Sequence, residues 1–280
     1  MPSFSRLAQW VLFIGLLPAL GCASVQSNEP LLRASAATSG DILYAVNGAG
    51  DFGGMSGALG EAFDAEHGPV KMVVYHWSHG YRRILADQCC FSHAVEQGEE
   101  LARILVERRK LYPKDRIFLF AHCAGAPVAL AAAERVPAGT IDRMVMLAPS
   151  VSSQYDLRGA LRGCTDGIDV FCSEHDNYLR YGLFVLGAGD RRHFCSISGR
   201  HGFKPVIKSP DDEKLYSKLH HHRWSESVAW TGHEGGHYGA YATPYMRTYI
   251  LTLLNDGPQD GVPPDADSAI VMHPETRNGL

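Results

Sequence analysis

The chain has 280 residues, 45% of them apolar and 20% charged, with a formal net charge of −4 and a pI near 6.4. This is the composition of an ordinary folded protein and excludes gross disorder. The acidic balance leaves no basic footprint, so no nucleic-acid partner is expected.

Arg6 and the apolar stretch Trp10 to Leu20 read as an export signal over 1–21, too short to span a membrane comfortably. Ala19-Leu20-Gly21-Cys22 resembles a bacterial lipobox, with Cys22 the lipidated new N-terminus. An ordinary cleaved signal and an uncleaved anchor are the alternatives, and all three export the protein. The expected location is a lipid-anchored protein on a membrane, the outer membrane or the periplasmic face, because Ala23 rather than Asp follows Cys22. Residues 22–40 are small and polar and read as a tether, 41–254 as the folded domain, and 255–280, rich in Pro, Asp and Gly, as a loose tail. An oxidising compartment permits disulfides. Among Cys89, Cys90, Cys164, Cys172 and Cys195, the pair Cys164 and Cys172 would close a short loop.

The domain opens with a strand over Ile42 to Val46. Gly48-Ala49-Gly50-Asp51-Phe52-Gly53 then matches Gly-x-Gly-x-x-Gly. A dinucleotide site would want an acidic residue at the end of the next strand, about 20 residues on. That strand, Val70 to Tyr75, runs instead into His76-Trp77-Ser78-His79-Gly80. The glycines therefore read as a loop at the mouth of a site, and no cofactor is expected. Leu59 to Ala65 reads as a short helix. Arg82, Arg83, Asp87 and Gln88 form a polar loop. Val95 to Tyr112 is an amphipathic helix, with Leu101, Ile104, Leu105 and Arg108 on one side and a solvated charged face.

Residues 116–135 carry the strongest pattern. Arg116 to Ala121 is a short apolar run that reads as a buried strand, and Gly125 to Val136 is an Ala-rich helix. Ala121-His122-Cys123-Ala124-Gly125 lies between them, with a nucleophile flanked at two residues' distance by small ones. A strand turning sharply into a helix crowds its own backbone, so small residues are needed there, and the corner side chain is pushed out over the sheet. The helix N-terminus favours a thiolate at Cys123. A buried, inert Cys is the structural alternative.

Ile141 to Leu147 is the next strand. Ser150, just after it, lacks a flanking Gly and a helix start, so it is a poor nucleophile candidate. Leu157 to Arg162 is a short helix and Ile168 to Ser173 a further strand, followed by Glu174-His175-Asp176. Residues 177–231 read as a cap or long loops, with His220, His221 and His222 at the surface. His233-Glu234-Gly235-Gly236-His237 spells the H-E-x-x-H zinc motif, but two glycines weaken the helix that would place both imidazoles on one face, and no metal is expected. Tyr238 to Leu254 reads as a last helix with Tyr241, Tyr245, Tyr249 and Leu253 on one side.

The small-x-Cys-x-Gly turn resembles the nucleophile elbow of the α/β-hydrolase family, with Ala121 in place of the first Gly and Cys123 in place of Ser, as in dienelactone hydrolases. The resemblance covers about 41–254 and implies a mostly parallel central sheet with helices on both faces and a cap or long loops. It also implies the order nucleophile, acid, base, carried here by Cys123, Asp176 and His237, with Glu174 competing for the acid. His79-Gly80 after the second strand resembles the family's oxyanion loop, so the backbone N–H groups of Tyr81 and Ala124 would hold the oxyanion. The implied activity is hydrolysis of carboxylic esters or related acyl substrates, with acyl transfer as a variant and a small acyl compound as partner. A decayed enzyme that keeps only the fold, as a binding or scaffold protein at the cell envelope, is the alternative.

Overall fold

The computed structural model describes residues 37–63 and 70–255. The signal segment, Cys22 and the tail beyond Asn255 lie outside the described residues.

Six strands form one sheet. They are β1 (Ile42–Val46), β2 (Lys71–Val74), β3 (Ile117–His122), β4 (Ile141–Leu147), β5 (Cys164–Cys172) and β6 (Leu219–Arg223). The spatial order is β2-β1-β3-β4-β5-β6 and every neighbouring pair is parallel. Helices cover both faces, which is why β1 and β3 are continuous apolar runs with no solvated side. On one face Tyr44, Leu119 and Ala121 pack with Leu101, Leu105 and Leu130. On the other, Leu43, Phe118 and Phe120 pack with Leu59, Met246 and Ile250. The chain is thus an α/β protein with an all-parallel sheet.

The helices in chain order are α1 (Gly54–Ala62), α2 (Ile84–Cys89), α3 (Phe91–Leu111), α4 (Ala126–Arg135), α5 (Arg158–Gly163), α6 (Asn177–Leu186), α7 (Ser198–His201), α8 (Pro210–Tyr216) and α9 (Thr243–Tyr245). The α3–α4 packing depends on Gly98, where a Cβ would come within 2.5 Å of the Ala131 Cβ. Arg108, on the buried side of α3, donates to the carbonyls of Thr38 and Gly40 and to Asp115, fastening the start of the domain.

The structure departs from the sequence expectations in several places. Asp87 and Gln88, expected in a polar loop, lie in α2, and α3 starts at Phe91, earlier than Val95. The region expected as one last helix is broken. A 3-10 turn over Gly239–Tyr241 leads into the single turn α9, then a π-type turn over Met246–Ile250 and a 3-10 turn over Leu251–Leu254. Pro244, which lacks an N–H and clashes with the preceding turn, accounts for the break between Tyr241 and Thr243. The buried side chains become Tyr245, Met246, Ile250, Leu251 and Leu254. Residues 219–223, expected in a cap, are a strand of the sheet. There His220 is exposed, but His221 Nε2 accepts the Phe203 N–H and His222 donates to Asp169, 2.7 Å away. Cys164 and Cys172 occupy opposite ends of β5, eight residues and roughly 26 Å apart at strand rise. No disulfide spans that distance. Finally, α1 starts at Gly54 and ends at Ala62, earlier than Leu59 to Ala65.

Candidate active site

The chain runs from β1 outward to β2, then crosses back to lay β3 on the other side of β1. The order therefore reverses between β1 and β3, and parallel sheets open a crevice at the carboxyl ends of strands at such a point. Cys123 stands there. The chain leaves β3 at His122, turns through Cys123–Gly125 and enters α4 at once, with Pro127 in its first turn. Cys123 has φ +49°, a left-handed conformation that few non-glycine residues adopt without strain.

The strain is held in place by close backbone packing. At Gly125 a Cβ would lie 2.6 Å from the carbonyl oxygens of both Val46 and Asn47, so only glycine fits against β1. At Gly48, in the loop after β1, a Cβ would lie 3.5 Å from the Cys123 Cβ and 2.9 Å from His122 Nδ1. The Cys123 carbonyl accepts the Ser150 N–H at 3.1 Å. Ser150 itself is fully buried, and among the described residues its hydroxyl has no hydrogen-bond partner.

Asp176 begins α6 and serves two partners. Its Oδ1 accepts the Leu179 N–H at 2.9 Å as a helix cap, and its Oδ2 accepts from His237 Nδ1 at 2.7 Å. The carboxylate keeps the proton on Nδ1, and the Cys123 sulfur is near enough to act on the charge of the ring. Burial opposes charge on His237, but the Cys123 sulfur and the Asp176 carboxylate outweigh it and push the imidazole up to about 10. The three residues picked from the sequence for a triad thus converge, although Asp176 and His237 are 61 positions apart. Glu174 is exposed and faces His201, 3.6 Å away.

His122, not singled out in the sequence, is buried beside them. Its ring packs on His237 with centroids 4.7 Å apart, and its Nε2 lies 3.4 Å from the His237 carbonyl. Burial, and then the charge on His237, hold His122 well below the usual imidazole range, so it stays neutral. Tyr178, Tyr238 and Tyr241 surround the pair. Burial first, then the Cys123 charge, raises all three phenols, which therefore remain protonated.

The expected oxyanion donors divide. Ala124 follows Cys123 and is buried at the start of the turn. Tyr81 is 70% exposed in the loop after β2, and β2 is separated from β3 by β1. The backbone that the structure shows against Cys123 is that of Gly48, in the loop after β1. The glycine-rich stretch that mimics a nucleotide fingerprint is this loop. Asp87, in the short helix α2, is its clamp. The carboxylate is buried and accepts the Gly50 N–H at 2.7 Å, the Ser78 hydroxyl at 2.6 Å and the His79 N–H at 2.8 Å, tying the loops after β1 and β2 together.

The H-E-x-x-H stretch forms bends, not a helix. His233 Nδ1 accepts the Gly235 N–H at 3.0 Å, and burial pushes its imidazole down to about 4. Among the described residues no group of three or more His, Cys, Asp or Glu is placed to hold a metal ion. Nor is any described helix long and apolar enough to cross a membrane. A cleft of about 310 Å³ opens beside the site, lined by Glu174, His175, Arg200, Arg223 and Trp224, and Cys123 is not among its walls.

No protein-family model matches the chain, and no curated protein is significantly similar to it.

Proposed function

We propose that this chain is an acyl hydrolase of the α/β-hydrolase type that cleaves carboxylic esters or related acyl compounds through Cys123, His237 and Asp176. The observation that carries the proposal is one buried imidazole held at Nδ1 by a buried carboxylate 2.7 Å away, with its charge favoured by the sulfur of Cys123 at a left-handed strand-to-helix turn. His237 takes the thiol proton and Asp176 holds the ring in the required tautomer. The Cys123 sulfur then attacks the acyl carbon. The leaving alcohol takes the proton back from His237, and water, activated by the same imidazole, hydrolyses the thioester. The N–H of Ala124 and those of the loop after β1 are the candidate oxyanion donors, in place of Tyr81. Transfer of the acyl group to an acceptor other than water is a variant of the same chemistry. The lipobox at Cys22 supports a lipid anchor and an exported location for the protein.

Thiol labelling tests the reading. Cys123 is expected to react with iodoacetamide at neutral pH much faster than an unperturbed thiol, with Cys123→Ala abolishing turnover of a p-nitrophenyl ester. Slow labelling together with no turnover on a panel of short to long acyl esters would leave the envelope scaffold as the better account.

A further inference from the structure

The rings around His237 carry an inference that rests on the acyl-hydrolase reading. Tyr178, from the first turn of α6, lies on the face of the imidazole, with centroids 4.4 Å apart and planes within 21°. Tyr238 meets the same ring at 4.8 Å and 76°. His122 packs on it at 55°. The titratable groups facing His237 are therefore Cys123 from the elbow, Asp176 from the turn before α6, His122 from the end of β3, and the phenols of Tyr178 and Tyr238. Tyr241, one ring further out, packs on His122 and Tyr238. His237 is the single group of this set that becomes a cation.

The face of an aromatic ring is the negative pole of its quadrupole and attracts a cation lying over it. We propose that Tyr178 is a positioning residue that holds His237 as an imidazolium through its ring face, not its hydroxyl, and so sets the pH up to which the charged ring persists beside Cys123. The step concerned is one proton transfer. The S–H bond of Cys123 breaks, the sulfur keeps the electron pair, and the proton binds the free ring nitrogen of His237. Tyr178 stabilises the charge-separated form and has little effect on the neutral pair. Asp176 acts from the far nitrogen in the plane of the ring, so the two contributions are separable. The neutral state of His122 adds no opposing charge. The hydroxyl of Tyr178 has no assigned part, and the side chain is 43% exposed at the rim. Leu179 and Leu183 bury the helix without it.

The test uses the full chain with Tyr178→Leu and Tyr178→Phe. The His237 ring resonance is assigned by its loss in His237→Gln and followed against pH. Tyr178→Leu is expected to lower the imidazolium midpoint by about half to one pH unit, the size of a partly desolvated cation–π contact. Tyr178→Phe should leave the midpoint at wild type. An unchanged midpoint in Tyr178→Leu, or an equal fall in Tyr178→Phe, overturns the proposal. Wild-type Cys123 labelling no faster than in the unfolded chain would instead sink the hydrolase reading, while the midpoint would still decide the role of Tyr178.

Discussion

The elbow at the end of β3 and the Gly-His loop before the C-terminal turns each bring an imidazole to the same place, with ring centroids 4.7 Å apart, and the two behave in opposite ways. His237 has a carboxylate on Nδ1 and the Cys123 sulfur favouring its charge, and it is raised to about 10. His122 has a backbone carbonyl and a charged neighbour, and it is held low. Burial penalises charge on both. What separates them is whether an anion offsets that penalty, and a cation on one ring makes a second cation 5 Å away still less favourable.

Substitution breaks the comparison most sharply. His237→Gln should lower kcat/KM for a p-nitrophenyl ester by about 10³-fold or more, because base and proton carrier are lost together. His122→Gln should lower it by about tenfold or less, through packing alone. Equal losses would mean that both rings take part in proton transfer. The backbone under the two rings gives the next largest effect. Gly125→Ala places a Cβ 2.6 Å from two carbonyl oxygens and should destabilise the domain by about 1–3 kcal/mol, read as a drop in Tm of a few degrees and up to about 10 °C. A Tm within one degree of wild type would show that the elbow can relax.

The smallest effect is a pH dependence, whose sign differs for the two kinds of histidine. His122, His221 and His233 are all lowered by burial, the latter two to about 4. The unfolded chain takes up protons on them near pH 6.5 and the folded chain does not. Stability should therefore fall as pH drops from about 6.5 towards 4. The raised pKa of His237 contributes stability that is complete below about 6.5 and lost as pH rises through about 10. Tm measured from pH 4 to 10 should rise through the acid range, and His233→Gln should flatten part of that rise. A Tm that is flat below pH 6.5 would contradict neutral burial of these rings.

The elbow was legible because its cause is local. Small residues around Cys123 and a strand–turn–helix sequence follow from backbone crowding, and Gly125 shows the crowding directly. Asp176 was legible for two reasons that both hold, since its two oxygens separately cap α6 and bind His237. Strand adjacency was not legible. Nothing in the sequence says that β1 rather than β2 lies against β3, so it does not single out Gly48, in the loop after β1, as the backbone beside Cys123. The strand at 219–223 was hidden because an edge position with polar partners removes the apolar signature of the central strands. Asp87 is not legible because a buried carboxylate collecting four donors from two loops looks, in sequence, like any polar residue.

The most direct measurement is a search for the acyl-enzyme. Protein mixed with p-nitrophenyl acetate and quenched in acid within the first turnovers should carry one added acetyl group on the peptide containing Cys123, in thioester form and removable by hydroxylamine. The same peptide should stay unmodified in His237→Gln over that interval. Acetyl groups on other residues with Cys123 untouched, while the ester is still turned over, would contradict the account.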